Sequence, residues 1–324
     1  MKTLFTLSAC AVASCLQAQV TSAPDPFAHT FSIVARDPAT GEMGVAVQSH
    51  WFSVGTAVSW AEAGVGVVAT QSFVNVSFGL RGLDLLREGQ TPQEALDRLL
   101  SDDTGKGFRQ VAILNGKGVA VFTGDDCIPE AGQRKGTDYS VQANMMLNNK
   151  VPDAMAQAFE NTGGPLAERM MAALEAAQSV GGDVRGKQSA VLLVVRGEKT
   201  DKPWEDRLID LRVDDHKEPV KELRRLLTVY RAYQYMAEGD LAMEHNDAAK
   251  ALESYGTAEK LYQENEEIGY WYAVALANTG HLEDAMPRFN AAFERNPGWK
   301  TLTRRIYDRK LLVVSEDDLK KILN

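Results

Sequence analysis

Between residues 30 and 213 the apolar pattern runs from strand alternation to helical spacing and back twice, and after that it stays helical. This switching most constrains what the chain can fold into. The first stretch, Thr30 to Gln71, is strand-rich: Phe31-Ser32-Ile33-Val34, Met43 to Gln48 beyond a Thr40-Gly41 turn, Thr56 to Trp60, and Val65 to Thr70. Glycines and other small residues dominate it, as expected of strands covered on both faces. Two helices follow, one over Gly79 to Arg87 and one opened by Thr91-Pro92-Gln93-Glu94, a capping box with proline in its first turn. Strands return at Gln110 to Leu114 and Gly118 to Phe122, joined by the hairpin signal Asn115-Gly116. A second helical pair covers Val151 to Asn161 and Pro165 to Val180, with Leu166, Met170, Ala173, Leu174 and Ala177 on one apolar face and Gly181-Gly182 as its stop. Strands at Ser189 to Val195 and Arg207 to Val213 close the unit. The economical packing is α+β, two stacked sheets between two helical layers, a four-layer αββα sandwich.

Past Asp214-Asp215-His216 an internal repeat of 34 residues sets in. Gly239, Ala251, Tyr255 and Ala258 are matched one period later by Ala273, Ala285, Phe289 and Ala292, with Pro297 closing the second copy. Small residues there let antiparallel helices approach closely while the aromatic fills the space beside them, the tetratricopeptide pattern. Two copies are fewer than the roughly three that stand alone, so they lean on a helix from Pro219 to Tyr235 and on Thr301 to Leu323. Such a region serves as a groove for a peptide or protein partner, or as a packing and dimerisation appendage. The expected organisation is a signal peptide over residues 1–18, the sandwich over 29–216 and the helical domain over 219–324.

Charge narrows the partners. The chain has 324 residues with 35 Lys+Arg against 44 Asp+Glu, a formal charge of −9. With no long lysine-arginine run, neither a nucleic-acid groove nor adsorption to an anionic membrane is expected. No later stretch holds the eighteen apolar residues that a spanning helix needs, so no transmembrane span is expected. Lys2, the apolar Leu4 to Leu16, and Leu16-Gln17-Ala18 read as a secretory signal with its cleavage site, which makes the protein secreted or periplasmic. Val12-Ala13-Ser14-Cys15 also fits a lipobox, so a lipoprotein held through Cys15 is the alternative. Once the signal is removed, Cys127 is the only cysteine left, and no intrachain disulfide is expected.

The common catalytic signatures are missing: there is no His-Glu-x-x-His, Gly-x-Ser-x-Gly, P-loop or Cys-x-x-Cys. Gly64-Val65-Gly66-Val67-Val68-Ala69 satisfies a dinucleotide pattern but lies in a strand-like run and opens no helix. Asp210, Asp214, Asp215 and His216 suggest a metal site, yet Asp-Asp-His falls between a strand and a helix start, where turn and cap duty is expected. No metal and no cofactor are expected.

Several blocks together carry a resemblance. These are His29 to Pro38, Gly44-Val45-Ala46-Val47-Gln48-Ser49, Gly64 to Gln71, Arg109-Gln110, Thr123-Gly124 with Cys127, Gln142 with Asn144, Gly181 to Ala190, and Asp210 to His216. Over roughly residues 29 to 216 the chain resembles the DUF1028 family of bacterial and archaeal proteins. The resemblance implies a fold like that of the N-terminal-nucleophile (Ntn) hydrolases, in a family without an assigned activity. In many members the threonine matching Thr30 follows the initiator methionine. Here a signal cut near Ala18 leaves Gln19 to His29 ahead of it, so a second cut at His29-Thr30 is required. The family also tends to have Trp and His just after the cysteine, where this chain has Glu130 and Gln133.

An N-terminal threonine uses its hydroxyl as nucleophile and its own α-amine, whose ordinary pKa is about 8, as base, so one residue supplies both groups of an amide-hydrolysing pair. Thr30 is the candidate for that role; the competing reading makes it a β-branched residue that begins a strand. Ser49, His50 and Gln71 end strands beside it and are candidate binding residues, with His50 an acid or base by its near-neutral pKa. Gln142 and Asn144 stand two apart on a strand-like segment, so both amides face one side and suit a polar substrate or an oxyanion. Arg185, Gln188 and Ser189 follow the Gly-Gly-Asp turn, where the arginine suits a carboxylate or an ion pair with Asp183. Cys127 sits among acidic neighbours that raise a thiol pKa, which suits a structural role. Two functions follow. One is a secreted amidohydrolase acting on a small peptide, an amino-acid derivative or a cell-wall fragment, with homo-oligomerisation open. The other is a non-catalytic scaffold whose repeats hold a protein partner.

Overall fold

A computed structural model describes residues 27, 28 and 30–324, with side chains from Thr30 onward. The expected signal peptide and Cys15 lie outside the described residues. In chain order the sandwich comprises β1 (Phe27–Ala28), β2 (Thr30–Arg36), β3 (Met43–Ser49), β4 (Ser59–Glu62), β5 (Gly66–Phe73), α1 (Ser77–Arg87), α2 (Pro92–Ser101), β6 (Arg109–Asn115) and β7 (Gly118–Thr123). It continues with β8 (Gly132–Lys135), β9 (Tyr139–Ala143), α3 (Val151–Asn161), α4 (Leu166–Ser179), β10 (Ser189–Val195) and β11 (Arg207–Val213). Then come the helices α5 (Pro219–Glu244), α6 (Ala248–Leu261), α7 (Glu266–Asn278), α8 (Leu282–Arg295), α9 (Gly298–Asp308) and α10 (Glu316–Leu323).

The strands form two antiparallel sheets. One runs β1-β5-β6-β7, with β4 also on β5, and the other runs β11-β10-β3-β2-β9-β8. Period-two alternation sorts their side chains into three apolar layers. Val34, Val45, Val47, Val67, Ala69, Ala112, Val191 and Leu193 fill the space between the sheets. Val68, Val111 and Ile113 point the other way, onto Phe78, Leu83, Leu96 and Leu99 of α1 and α2. Phe31, Ile33, Val141 and Leu192 face Met155, Phe159, Met170 and Leu174 of α3 and α4. The result is the expected αββα order. The helix start at Thr91 is capped as its sequence dictates, with its side chain accepting from Glu94 N–H and Glu94 reaching back to the Thr91 N–H.

Two local expectations change. The segment expected as a strand over Thr56 to Trp60 begins as a 3₁₀ turn at Val54–Thr56, and the strand starts at Ser59. The helix expected to end at Tyr235 continues to Glu244. Its first half packs Val220, Leu223 and Leu227 into the core that the β2 sheet shares with α3 and α4, and Arg224 pairs with Glu175 of α4 at 2.7 Å. Its second half enters the repeats, where Tyr255 packs beside Ala242, Ala251 and Ala275, and a Cβ on Gly239 would come 2.9 Å from the Tyr255 ring. Among the described residues, no helix is long and apolar enough to cross a membrane.

Candidate functional site

The layer between the sheets changes character along its length. Five inward-facing rows are apolar toward one pole and polar at the other: Val34, then Ser32 and Thr30; Val47, then Ser49; Ala69, then Gln71; Ala112, then Gln110; Leu193 and Val191, then Ser189; the β9 row, Ser140 and Gln142, is polar throughout. Polar residues buried between sheets must pair with one another, because an unsatisfied amide there costs about 1–3 kcal/mol. These do pair, and the pairing converges on Thr30.

Thr30 is fully buried, and its hydroxyl donates to Ser49 Oγ at 3.2 Å. Its carbonyl oxygen accepts from the Asn144 backbone N–H at 3.1 Å, from Asn144 Nδ2 at 3.3 Å and from Gln71 Nε2 at 3.3 Å. One strand turn away, Ser32 donates to Gln71 Oε1 and accepts from Gln142 Nε2, both at 2.6 Å. Gln110 is the hub of the opposing sheet. Its Oε1 accepts from Gln71 Nε2 at 2.6 Å and Asn144 Nδ2 at 2.9 Å, while its Nε2 donates to Thr123 Oγ1 at 2.8 Å and to the Ala143 carbonyl at 2.9 Å. Ser72 (φ 73°) and Met145 (φ 57°) take left-handed backbone angles beside Gln71 and Asn144. Non-glycine residues adopt such angles at a cost of order 1–3 kcal/mol, and these clusters favour functional sites.

Of the residues singled out in the sequence, Thr30, Ser49, Gln71, Gln142 and Asn144 meet in this network. The remaining four take other partners. His50 donates its backbone N–H to Asp183 Oδ2 at 3.2 Å, and its Nδ1 is buried beside Gly186. Arg185 closes a 2.7 Å ion pair on the fully buried Asp183 carboxylate, the competing reading of that arginine. Gln188 donates to Asp215 at 3.3 Å near the surface, and Ser189 holds the loop after β3 by accepting from Val54 N–H at 3.0 Å and donating to the Trp51 carbonyl. His50 and Asp183 nevertheless border the site, since Leu147 N–H bonds Gly182 O and Val184 N–H bonds Met145 O. Ser32, Gln110 and Thr123 fall within the blocks that carry the resemblance but are not among the candidate residues; their further signal is the polar turn of an otherwise apolar inward row.

Two neighbours complete the rim. Cys127 donates its thiol to the Arg109 carbonyl at 3.5 Å, and burial pushes its pKa up, with Asp126 and Asp125 adding to the shift, so it stays protonated. Burial would also raise the Asp103 carboxyl, but hydrogen bonds from the Arg109 guanidinium and Gly105 N–H outweigh it and hold that carboxyl below the usual range. Asp214 and His216 take the expected turn role, Asp214 accepting from Ser53 and His216 Nδ1 accepting from Glu218 N–H, but the expected cap duty is not met, since α5 starts without a side-chain cap; Asp210 lies within β11 and pairs with Arg207 and Arg212. No group of three or more His, Cys, Asp or Glu suited to a metal occurs among the described residues. A cavity of about 750 Å³ lies at the opposite, apolar pole, lined by Arg36, Glu42, Lys117, Arg196 and Lys199, away from this network.

A two-sheet sandwich with a buried hydroxyl-amide network at one pole, carrying a helical repeat, defines the class. The model of the family of unknown function DUF1028 matches residues 30–223, and the chain belongs to that family. A tetratricopeptide-repeat model matches residues 242–306. Among solved structures, the crystal structure of protein SPO2555 from Silicibacter pomeroyi, a DUF1028 protein, is similar over 61% of this chain and 84% of that one. The sequence identity is 32% and the TM-score 0.55. No curated protein matches the chain.

Proposed function

We propose that the protein is a secreted N-terminal-nucleophile amidohydrolase in which Thr30, freed by cleavage of the His29-Thr30 bond, attacks an amide carbonyl. The observation that carries this reading is the convergence on Thr30: a buried hydroxyl bonded to Ser49, and a carbonyl held by three donors, at the one polar end of an otherwise apolar layer. A strand-starting threonine with no further duty does not need such surroundings. The αββα order and the apolar N-terminal stretch with its small-residue cut site agree with it.

In the mature form the Thr30 amine takes the hydroxyl proton as Oγ1 adds to the substrate carbonyl. It then returns that proton to the leaving nitrogen, and an acyl ester remains on Oγ1. Water, activated by the same amine, hydrolyses the ester. Ser49 fixes the Oγ1 rotamer, and Asn144 and Gln71 hold the Thr30 backbone in place. In the uncut chain Oγ1 adds instead to the His29 carbonyl, its proton passes to the Thr30 nitrogen as the C–N bond breaks, and water then hydrolyses the resulting His29 ester to leave the mature end. Until then the Thr30 nitrogen is acylated and cannot act as base.

The test is intact-mass analysis of the purified protein and its Thr30→Ala variant. The expected masses are a wild-type chain beginning at Thr30 and a variant that keeps the preceding residues. An uncut wild-type chain that hydrolyses amides equally well would remove Thr30 from the mechanism. A second reading, a scaffold acting through the repeats, draws on the match over residues 242–306; capture of a protein partner that Thr30→Ala leaves unchanged and loss of the repeats abolishes would favour it.

A further inference from the structure

The short strand β1 runs antiparallel on β5, with Phe27 opposite Phe73 and Ala28 opposite Ser72. It occupies the stretch of β5 left open by β4, whose pairing on the same edge stops at Ala69. One residue after β1 the chain begins β2 at Thr30. We propose that the Ser72–Phe73 edge is a binding site for extended peptide backbone, occupied in the uncut chain by its own residues 27 and 28, and that the protein's substrates are peptides seated in the same register. The proposal rests on the hydrolase reading and adds the substrate class to it.

The register does the positioning. A peptide paired as β1 is paired presents the carbonyl of the residue that follows its Ala28 equivalent at Thr30, where the uncut chain presents the bond to be cut. Recognition of this kind uses main-chain hydrogen bonds for affinity and leaves side-chain choice to flanking pockets.

The edge is built to stay in place when empty. Arg109, only 8% exposed, donates to the Phe73 carbonyl and pairs with Asp103 at 2.7 Å, both side chains being 9% exposed. Asp103 in turn accepts from Gly105 N–H at 2.9 Å. An unclamped strand end would fray once its partner left; this one is held from behind by a buried ion pair. Next to it the Phe73 and Phe108 rings meet at 5.1 Å, with Phe108 42% exposed, an apolar shelf for a substrate side chain. Amino-acid derivatives too short to form two strand residues would forgo this contact.

The experiment uses the full chain in a Thr30→Ala background, so that no cleavage intervenes. Phe27→Pro/Ala28→Pro removes the strand's N–H donors, and amide hydrogen exchange at Ser72 and Phe73 is followed with and without a synthetic peptide of residues 22 to 29. The expected result is exchange faster by about tenfold in the double variant. The peptide should slow it again, and its analogue N-methylated at the Phe27 and Ala28 nitrogens should not. Unchanged exchange in the variant, or equal effects of the two peptides, would overturn the proposal. Should the prolines prevent folding, Phe27→Gly/Ala28→Gly keeps the donors but loosens the strand, and the same peptide comparison decides. A negative result here counts against the edge alone, while the intact masses judge Thr30.

Discussion

At the scale of single residues, Gln110 tests whether the polar pole is one network or a set of separate pairs. Its amide touches both sheets, and replacing it by leucine leaves the buried Gln71 and Asn144 donors short of an acceptor. Gln110→Leu should lower stability by about 2–4 kcal/mol in denaturant melts, because each orphaned buried donor costs about 1–3 kcal/mol. Any amide hydrolysis should fall with it, since Thr30 loses its orientation. A cost below about 0.5 kcal/mol would mean that the amides re-pair freely. Asp103 gives a pH signature. Its folded pKa is depressed, so its pair with Arg109 stabilises the fold above the ordinary carboxyl pKa of about 4 and is lost as pH falls through the lower folded value. Asp103→Asn should destabilise the protein by about 3 kcal/mol at neutral pH, because it strands a buried guanidinium. It should also flatten the acid limb of the stability curve.

At the scale of elements, the repeat rests on close helix approach. Gly239→Val brings a branched side chain against Tyr255 and should cost about 1–3 kcal/mol. Exchange protection should fall in α6 and α7 while the β2 and β5 amides keep theirs; equal loss in both regions would show that sandwich and repeats unfold together. Elements with a strong apolar rhythm were the legible ones. The strand bounds at Ser189–Val195 and Arg207–Val213 and the helix bounds at Val151–Asn161 follow from the sequence alone. By contrast β8, Gly-Gln-Arg-Lys, has no alternation to read: it is a mostly exposed edge strand, where charged side chains discourage pairing with other chains. The start of β4 is displaced because Val54, Gly55 and Thr56 turn while staying as small and apolar as a strand.

At the scale of the whole molecule, the sandwich and the repeats share α5, whose first half completes the sandwich core and whose second half begins the repeat. A break in composition marks where the helical region begins, but it cannot mark which core a continuous helix serves. The site was legible in half. Thr30 begins a strand and Ser49 ends one; Gln71, expected to end its strand, lies two residues inside it, Gln142 lies one residue inside, and Asn144 follows directly after, yet all five meet. Gln110 and Ser32 fall within the blocks that carry the resemblance, and Ser32 shares the Thr30 face by the period-two rule, but what each one bonds cannot be read until the facing sheet is known. Arg185 has a local partner, Asp183, that sequence spacing does not distinguish from a ligand, and Ser189 bonds the distant Val54 and Trp51, which no local pattern announces.

The central claim is that Thr30 comes to carry a free amine beside its own hydroxyl. An α′,β′-epoxyketone peptide consumes both groups, the hydroxyl adding to the ketone and the amine opening the epoxide to close a morpholine ring. Only an N-terminal residue bearing both groups forms that adduct. Mass spectrometry of the treated wild-type protein should find one adduct, on a chain beginning at Thr30, and none on Thr30→Ala. A chain that begins at Thr30 and stays unlabelled, or a native protein whose Thr30 nitrogen is still joined to His29, would contradict the account.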